Sequence, residues 1–315
     1  MATLFSPLAV RGTTLRNRIM VSPMCTYSAV EGVPQPWHLV HLGALARGGA
    51  GLVMAEATAV VAEGRISPRD TGLWTDAQAE AWAPIVEFIH SQGATAAIQL
   101  AHAGNKASTY WPWADSRGSV PAGDGGWQTV GPSPDGYPGL AAPRALATEE
   151  LPGVVAAFAE AARRALAAGF DAVEIHAAHG YLLHQFLSPL SNDRTDRYGG
   201  DLLGRSRLLQ EVAAAVRAVW PDDRPVLARI SATDWVQGGH SIEDSVVVAG
   251  WLRDLGVDLI DVSSGGASPE QQITPAPGYQ VGLSARIRHE AGIPTAAVGM
   301  IADPAQAEAV LADGS

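Results

Sequence analysis

Short apolar runs alternate with longer amphipathic stretches along almost the whole chain. "RIMVSPM" (18–24), "GLVMAEATAV" (51–60), "ATAAIQLAHAG" (94–104), "DAVEIHAAH" (171–179), "PVLARIS" (225–231), "DLIDVSSGG" (258–266) and "PTAAVGM" (294–300) read as strands. They are nearly continuous in apolar residues, as strands are when both faces of a parallel sheet are covered. Between them, "WHLVHLGALARGG" (37–49), "TDAQAEAWAPIVEFIHSQG" (75–93), "TEELPGVVAAFAEAARRALAAG" (148–169) and "LLGRSRLLQEVAAAVRAVW" (202–220) read as helices. So do "SIEDSVVVAGWLRDLG" (241–256), "YQVGLSARIRHEAG" (279–292) and "DPAQAEAVLADG" (303–314). Thr75 is placed to cap the second helix and Gly93 to end it.

Strict strand–helix alternation over this length predicts a (β/α)8 TIM barrel, a single domain over residues 1–315. A doubly wound sheet is the alternative, but no G-x-G-x-x-G follows the first strand. Residues 105–148 are rich in Gly, Pro, Ser and Trp without periodicity and read as a long excursion after the third strand, holding a short hairpin. An eighth strand should follow Gly314, where the sequence stops at Ser315. The barrel is therefore expected to be incomplete at its C-terminal end.

Composition narrows the possible roles. At 47% hydrophobic and 17% charged residues there is ample material for a core. Twenty-one basic against 32 acidic residues give a net charge of −11, which speaks against a nucleic-acid partner. No apolar run reaches the ~18 residues of a membrane span, and the N-terminus lacks the basic and apolar regions of a signal peptide. Cys25 is the single cysteine, so no internal disulfide forms, and a reducing cytoplasm is the expected compartment. Lys106 is the single lysine; its default reading is a solvated loop residue.

In a barrel of this kind chemistry sits at the C-terminal strand ends. In chain order these ends read "SPMCTY", "EAT", "QLAHAG", "HAAHGY", "ARIS", "SSGG" and "VGM". They hold a thiol, two histidines, two tyrosines, Gln99, Arg229 and several glycines, but few acids. His176 and His179 share one strand end, whereas a metal-dependent lyase or hydrolase built on them would want ligands from other strands as well. A glycosidase would want paired carboxylates, and only Glu56 and Glu174 lie near. A flat, redox-active ring suits the set better. Gln99 can both donate to and accept from a pyrimidine edge, and Arg229 can balance negative charge on a reduced flavin. Trp111, Trp113 and Trp127 in the excursion are candidates to line a pocket.

The segments "RNRIMVSPMCTYSA", "EATAV", "IQLAHAGNKA", "GFDAVEIHAAHGYLLHQFLSPLSNDRTDRYGGD", "ARIS", "DVSSGG" and "VGMI" together carry a family resemblance. The chain resembles the Old Yellow Enzyme family of FMN ene-reductases, and is nearest to its bacterial thermophilic-like NADPH dehydrogenase branch. The resemblance implies non-covalent FMN, with NADPH as reductant in a ping-pong cycle. It places Ser22, Pro23, Met24, Cys25, Ala57, Gln99, Arg229 and Gly299 around FMN. His176 and His179 would hold a substrate carbonyl oxygen, Tyr181 would deliver a proton, and Tyr27 would line the substrate pocket. Implied substrates are enones, enals, quinones, maleimides and nitro compounds, and the implied assembly is a homodimer or homotetramer. The family's eighth strand carries a Gly-Arg pair that helps hold the FMN phosphate, and this pair has no counterpart in residues 1–315.

Overall fold

The computed structural model describes residues 3–314. A hairpin, β1 (Leu8–Val10) and β2 (Thr13–Leu15), precedes β3 (Met20–Val21). Then follow α1 (Pro36–Arg47), β4 (Leu52–Ala59), α2 (Asp76–Ser91) and β5 (Thr95–Ala101). The excursion contributes β6 (Val130–Gly131) and β7 (Arg144–Ala145). The chain continues through α3 (Leu151–Ala167), β8 (Ala172–Ala177), α4 (Leu182–Leu187), α5 (Leu202–Val219) and β9 (Val226–Ser231). It ends with α6 (Ile242–Asp254), β10 (Leu259–Ser263), α7 (Val281–Ala291), β11 (Thr295–Ala297) and α8 (Pro304–Ala312).

Seven strands form one sheet in the order β11-β10-β9-β8-β5-β4-β3, every pair parallel. The order is sequential, with none of the reversal that marks a doubly wound sheet. The sheet curls as a barrel whose seam lies between β3 and β11. A groove of about 880 Å³ runs along that seam, lined by Leu8, Leu15, Met20, Ala296 and Leu311 among others. Among the described residues no strand fills it, and Ser315, where an eighth strand was expected to begin, lies outside them.

Successive residues of each strand separate onto two sides. Val53, Ile98, Val173, Ile175, Val226, Ile230, Ile260 and Val262 join the helices in one large core. Leu52, Met54, Ala97, Ala172, Leu227 and Leu259 form a second, smaller cluster, closed from below by Leu8 and Leu15 of the hairpin. That second cluster is the barrel floor. The strands read as unbroken apolar runs only because both sides are apolar at this level; one step higher the inward side turns polar.

Helix ends follow local chemistry. Thr75 accepts the Gln78 amide as the N-cap of α2, and Gly93 follows that helix with φ 73°. Trp82 of α2 is fully buried, edge-on to Phe170 and to His38 with ring centroids 5.8 Å apart in each case. The excursion holds a short antiparallel return, where Thr109 bridges Ser119, and beyond it a parallel pair in which β6 and β7 join at Val130↔Arg144 and Gly131↔Ala145. Two local readings need correction. The first strand shrinks to Met20–Val21, since the chain then turns so that the Thr26 amide donates to Glu56 at 2.7 Å. Helix α4 lies in a segment that the sequence pattern left as loop.

Removing the Trp82 ring leaves a cavity between α2 and the sheet that neither Phe170 nor His38 can fill. Trp82→Ala should cost about 3–5 kcal/mol of stability in denaturant unfolding.

Candidate active site

The polar inward positions form one row across four neighbouring strands. Gln99 lies beside Glu174 in register, and Arg229 beside Asp261. One step further along, at the rim, His176 pairs in register with Arg229. A bulge between Ala55 and Ala57 of β4 puts Ala57 opposite Gln99. Cys25, Tyr27, Trp127 and Tyr181 pack against Ala57, Ile66, Ala101, Ala103 and Ala107 to make one wall. The His176 ring stands edge-on to His179 at 5.2 Å and to Tyr181 at 5.1 Å. Eight of the sequence-derived residues thus converge: Cys25, Tyr27, Ala57, Gln99, His176, His179, Tyr181 and Arg229. Ser22 and Gly299 line the seam groove beside them, Pro23 links Ser22 to this wall, and the Met24 side chain is half exposed.

Burial keeps this cluster mostly uncharged. It lowers both imidazoles well below the ordinary histidine value, helped for His176 by the Arg229 charge and for His179 by His176 and then Arg229. It raises the Tyr181 phenol and the Cys25 thiol well above theirs. The Ala178 amide donates to His176 Nδ1 at 3.3 Å, which leaves the proton on Nε2. His179 Nε2 meets the Ser263 hydroxyl at 2.7 Å; with that hydroxyl as donor, Nδ1 keeps a free N–H.

The turn that carries these groups is held from three directions. His179 and Gly180 both have left-handed backbone, φ 60° and 71°, and a Cβ on Gly180 would collide with the Gly266 carbonyl. Lys106 spans this contact: its ammonium donates to the carbonyls of His179 at 2.8 Å and Gly266 at 3.0 Å. Lys106 is therefore a half-buried brace and not the solvated residue that its loop position suggests, and burial brings its pKa down to about 8. Behind the turn, the Gly180 amide donates to His184 Nδ1 at 2.8 Å, and His184 Nε2 lies 2.9 Å from Asp234. Ser188 and the His240 amide donate to the same Asp234 carboxylate. Of the excursion tryptophans, Trp113 stands edge-on to Tyr27 at 5.5 Å, and Trp127 lies under Arg65 with its indole donating to Glu63. Trp111 is stacked by Arg69 instead.

The side chains present fit a flat heterocycle with a hydrogen-bonding edge. Arg229 is buried yet makes no hydrogen bond among the described residues; its nearest charge is Asp261, 3.2 Å away and off line. A buried guanidinium without acceptors is costly unless a carbonyl or an anionic ring meets it. Among the described residues no group of three or more His, Cys, Asp or Glu is placed to hold a metal ion. Sequence reasoning missed Asp234, His184 and Asp261 and set Glu174 aside. For Glu174 and Asp261 the available signal was an acid on the inward side of a strand, two residues before a rim residue.

The chain matches the model of the family described as NADH:flavin oxidoreductase / NADH oxidase over residues 3–315. It is 46% identical over 310 residues to an NADPH dehydrogenase of Halalkalibacterium halodurans, covering 98% of this chain and 86% of that one. Among solved structures it is similar to morphinone reductase in complex with tetrahydroNAD (TM-score 0.82, 30% identity), covering 99% of this chain and 84% of the other. It is also similar to the old yellow enzyme homologue from Zymomonas mobilis (TM-score 0.83, 31% identity), with 99% and 86% covered. No helix among the described residues is long and apolar enough to cross a membrane.

Because Lys106 satisfies two carbonyls at once, Lys106→Met should leave both unpaired. The expected loss is about 1–3 kcal/mol of stability by denaturant unfolding.

Proposed function

Since the chain belongs to the NADH:flavin oxidoreductase / NADH oxidase family, the flavin-dependent NAD(P)H oxidoreductases of Old Yellow Enzyme type, we propose that it is an NADPH-dependent ene-reductase. Its substrates in this reading are α,β-unsaturated carbonyl compounds and related quinones, maleimides and nitro compounds. The observation that carries it is the meeting of His176 edge-on with His179 and with Tyr181 at one strand end, where burial favours neutral imidazoles and a protonated phenol.

Gln99 and Arg229 would hold the pyrimidine side of FMN, with Ser22, Pro23, Met24, Cys25, Ala57 and Gly299 as its further contacts. Bound FMN would supply two-electron chemistry between NADPH and the substrate in a ping-pong cycle. His176 Nε2–H and His179 Nδ1–H donate to the substrate's carbonyl oxygen. Their hydrogen bonds strengthen as negative charge gathers there, and fixed donors in a dry site stabilise that charge with little reorganisation. Tyr181 delivers its proton to the substrate carbon next to the carbonyl. Burial keeps the phenol protonated, and a carbanionic carbon is basic enough to take that proton. Tyr27 and Trp113 form the pocket wall. In the same reading the enzyme is a cytoplasmic homodimer or homotetramer, and the reducing compartment keeps Cys25 a thiol.

The direct test is colour: the purified protein should be yellow and should release FMN on denaturation, and a colourless protein with no affinity for flavin would overturn the reading. His176→Ala combined with His179→Ala should keep FMN but lose phenol and enone binding, at a cost of about 2–4 kcal/mol in kcat/KM. Unchanged cyclohexenone turnover would count against both histidines. Tyr181→Phe should slow reoxidation by enones about 10²-fold or more. In stopped-flow measurements, reduction by NADPH should stay nearly as fast as before.

A further inference from the structure

Two side chains of the polar row have no place in the chemistry above. Gln99, Glu174, Arg229 and Asp261 are all buried, at 2%, 0%, 7% and 0% exposure. The Gln99 amide donates from Nε2 to Glu174 Oε1 at 2.8 Å. Arg229 Nε lies 3.2 Å from Asp261 Oδ2. Glu174 Oε2 and both Asp261 oxygens have no hydrogen-bond partner among the described residues. Beneath the row lies only the apolar floor of Ala97, Ala172, Leu227 and Leu259.

The charge count does not balance. Two carboxyls, neither exposed to solvent, share one guanidinium, and two carboxylates there would leave an excess negative charge. A like-charged pair at low dielectric resolves this by keeping one proton. Asp261 has the guanidinium beside it, while Glu174 faces a neutral amide. Burial raises both carboxyls and the Asp261 charge raises Glu174 further, while Arg229 lowers both; the guanidinium 3.2 Å from Asp261 favours the ionised form there and leaves the shared proton to Glu174. The groups that face Glu174 are Gln99 from β5, Arg229 from β9 and Asp261 from β10.

We propose that Glu174 and Asp261 are positioning residues for the pyrimidine edge of the flavin. Neutral Glu174 fixes the Gln99 amide, ionised Asp261 fixes Arg229, and the one proton held by the two carboxyls sets the charge beneath the ring. This rests on the flavin reading given above. With Glu174 acting only as an acceptor toward Nε2, Gln99 keeps one N–H and its carbonyl for the ring edge. With the proton in place the row is neutral. Loss of the proton leaves a net negative charge under the ring, which opposes added electrons, so the reduction potential should fall.

The sign for stability follows from the same shift. The folded-state pKa lies above the ordinary glutamate value, so the folded protein binds more protons than the unfolded one between about pH 4.5 and 8. Glu174 therefore contributes stability that is present below that window and lost as pH rises through it.

The test uses FMN-loaded wild type, E174Q and E174L. E174Q keeps the acceptor of a neutral carboxyl and cannot ionise; E174L removes the partner of Gln99. Between pH 7 and 9.5 the preference of wild type for reduced over oxidised flavin should fall at least tenfold further than that of E174Q, which is about 30 mV for a two-electron couple. E174L should weaken FMN binding at least tenfold, and E174Q should restore it to within about threefold of wild type. The decline in melting temperature from pH 5 to 8 should be shallower in E174Q. Superimposable potential–pH curves for wild type and E174Q would overturn the proposal, as would E174L holding FMN as tightly as wild type. If E174L does not fold, the E174Q curves decide. A wild type that binds no flavin overturns the ene-reductase reading and this inference with it, whereas yellow wild type with unresponsive variants overturns this inference alone.

Discussion

The site depends on the two-residue period of in-register parallel strands. Every second side chain of β5, β8, β9 and β10 faces the barrel interior, β4 shifting phase at its bulge, and these side chains stack as levels that step up by two residues from β8 to β9. The lowest level is apolar and closes the floor. The next is Gln99, Glu174, Arg229 and Asp261, and the rim carries His176 and Ser263. A register slip of one residue in β9 would turn Arg229 toward the helices and put an aliphatic residue in its place. The large aliphatic core on the outer side opposes such a slip, because Val226 and Ile230 would then face the polar row. Packing on one side of each strand thus fixes chemistry on the other.

The rim needs a second device, because the loops beyond the strands have no such register. There the backbones of two loops press together at Gly180 and Gly266, where no Cβ would fit. Contact this close leaves carbonyls without amide partners, and Lys106 supplies the missing donors. On the opposite side the His184–Asp234 pair holds the Gly180 amide. The His179–Tyr181 turn is therefore fixed by side chains from the ends of β5, α4 and β9. A left-handed His179 is a strained conformation that persists only when its surroundings over-determine it, and these contacts do so. Donors placed this way need not reorganise when charge develops on a ligand.

Much of this was legible in the sequence. The seven strand–helix units follow from periodicity, with boundaries off by a few residues, and the rim residues follow from reading the strand ends. Cys25, Tyr27, Gln99, His176, His179, Tyr181 and Arg229 do meet in one place. What periodicity conceals is relations between strands. Glu174 looks like an isolated acid in an apolar run, and only the pairing of β5 with β8 puts it against Gln99. Lys106 looks like a loop residue until the turn after β8 and the loop after β10 fold over it. The short antiparallel return at Thr109 and Ser119 fits the excursion's Gly- and Pro-rich composition, but the parallel β6–β7 pair was not legible. Nothing local to either strand states that the chain crosses over between them.

Burial also decides what kind of ligand the site can take. Apart from the polar row, the groups at the rim are pushed toward their neutral forms: imidazoles without a second proton, a phenol and a thiol that keep theirs. A charged substrate group would have to shed its water with little compensation there. In the proposed reading a carbonyl or nitro oxygen loses little, since it needs only the two ring N–H donors. Within the barrel interior, Arg229 and Asp261 face each other at the level below. Electron-accepting chemistry needs a cation near the ring and a dry, uncharged face toward the substrate. Stacking a charged row under a neutral rim, at alternate positions of the same strands, provides both within one barrel.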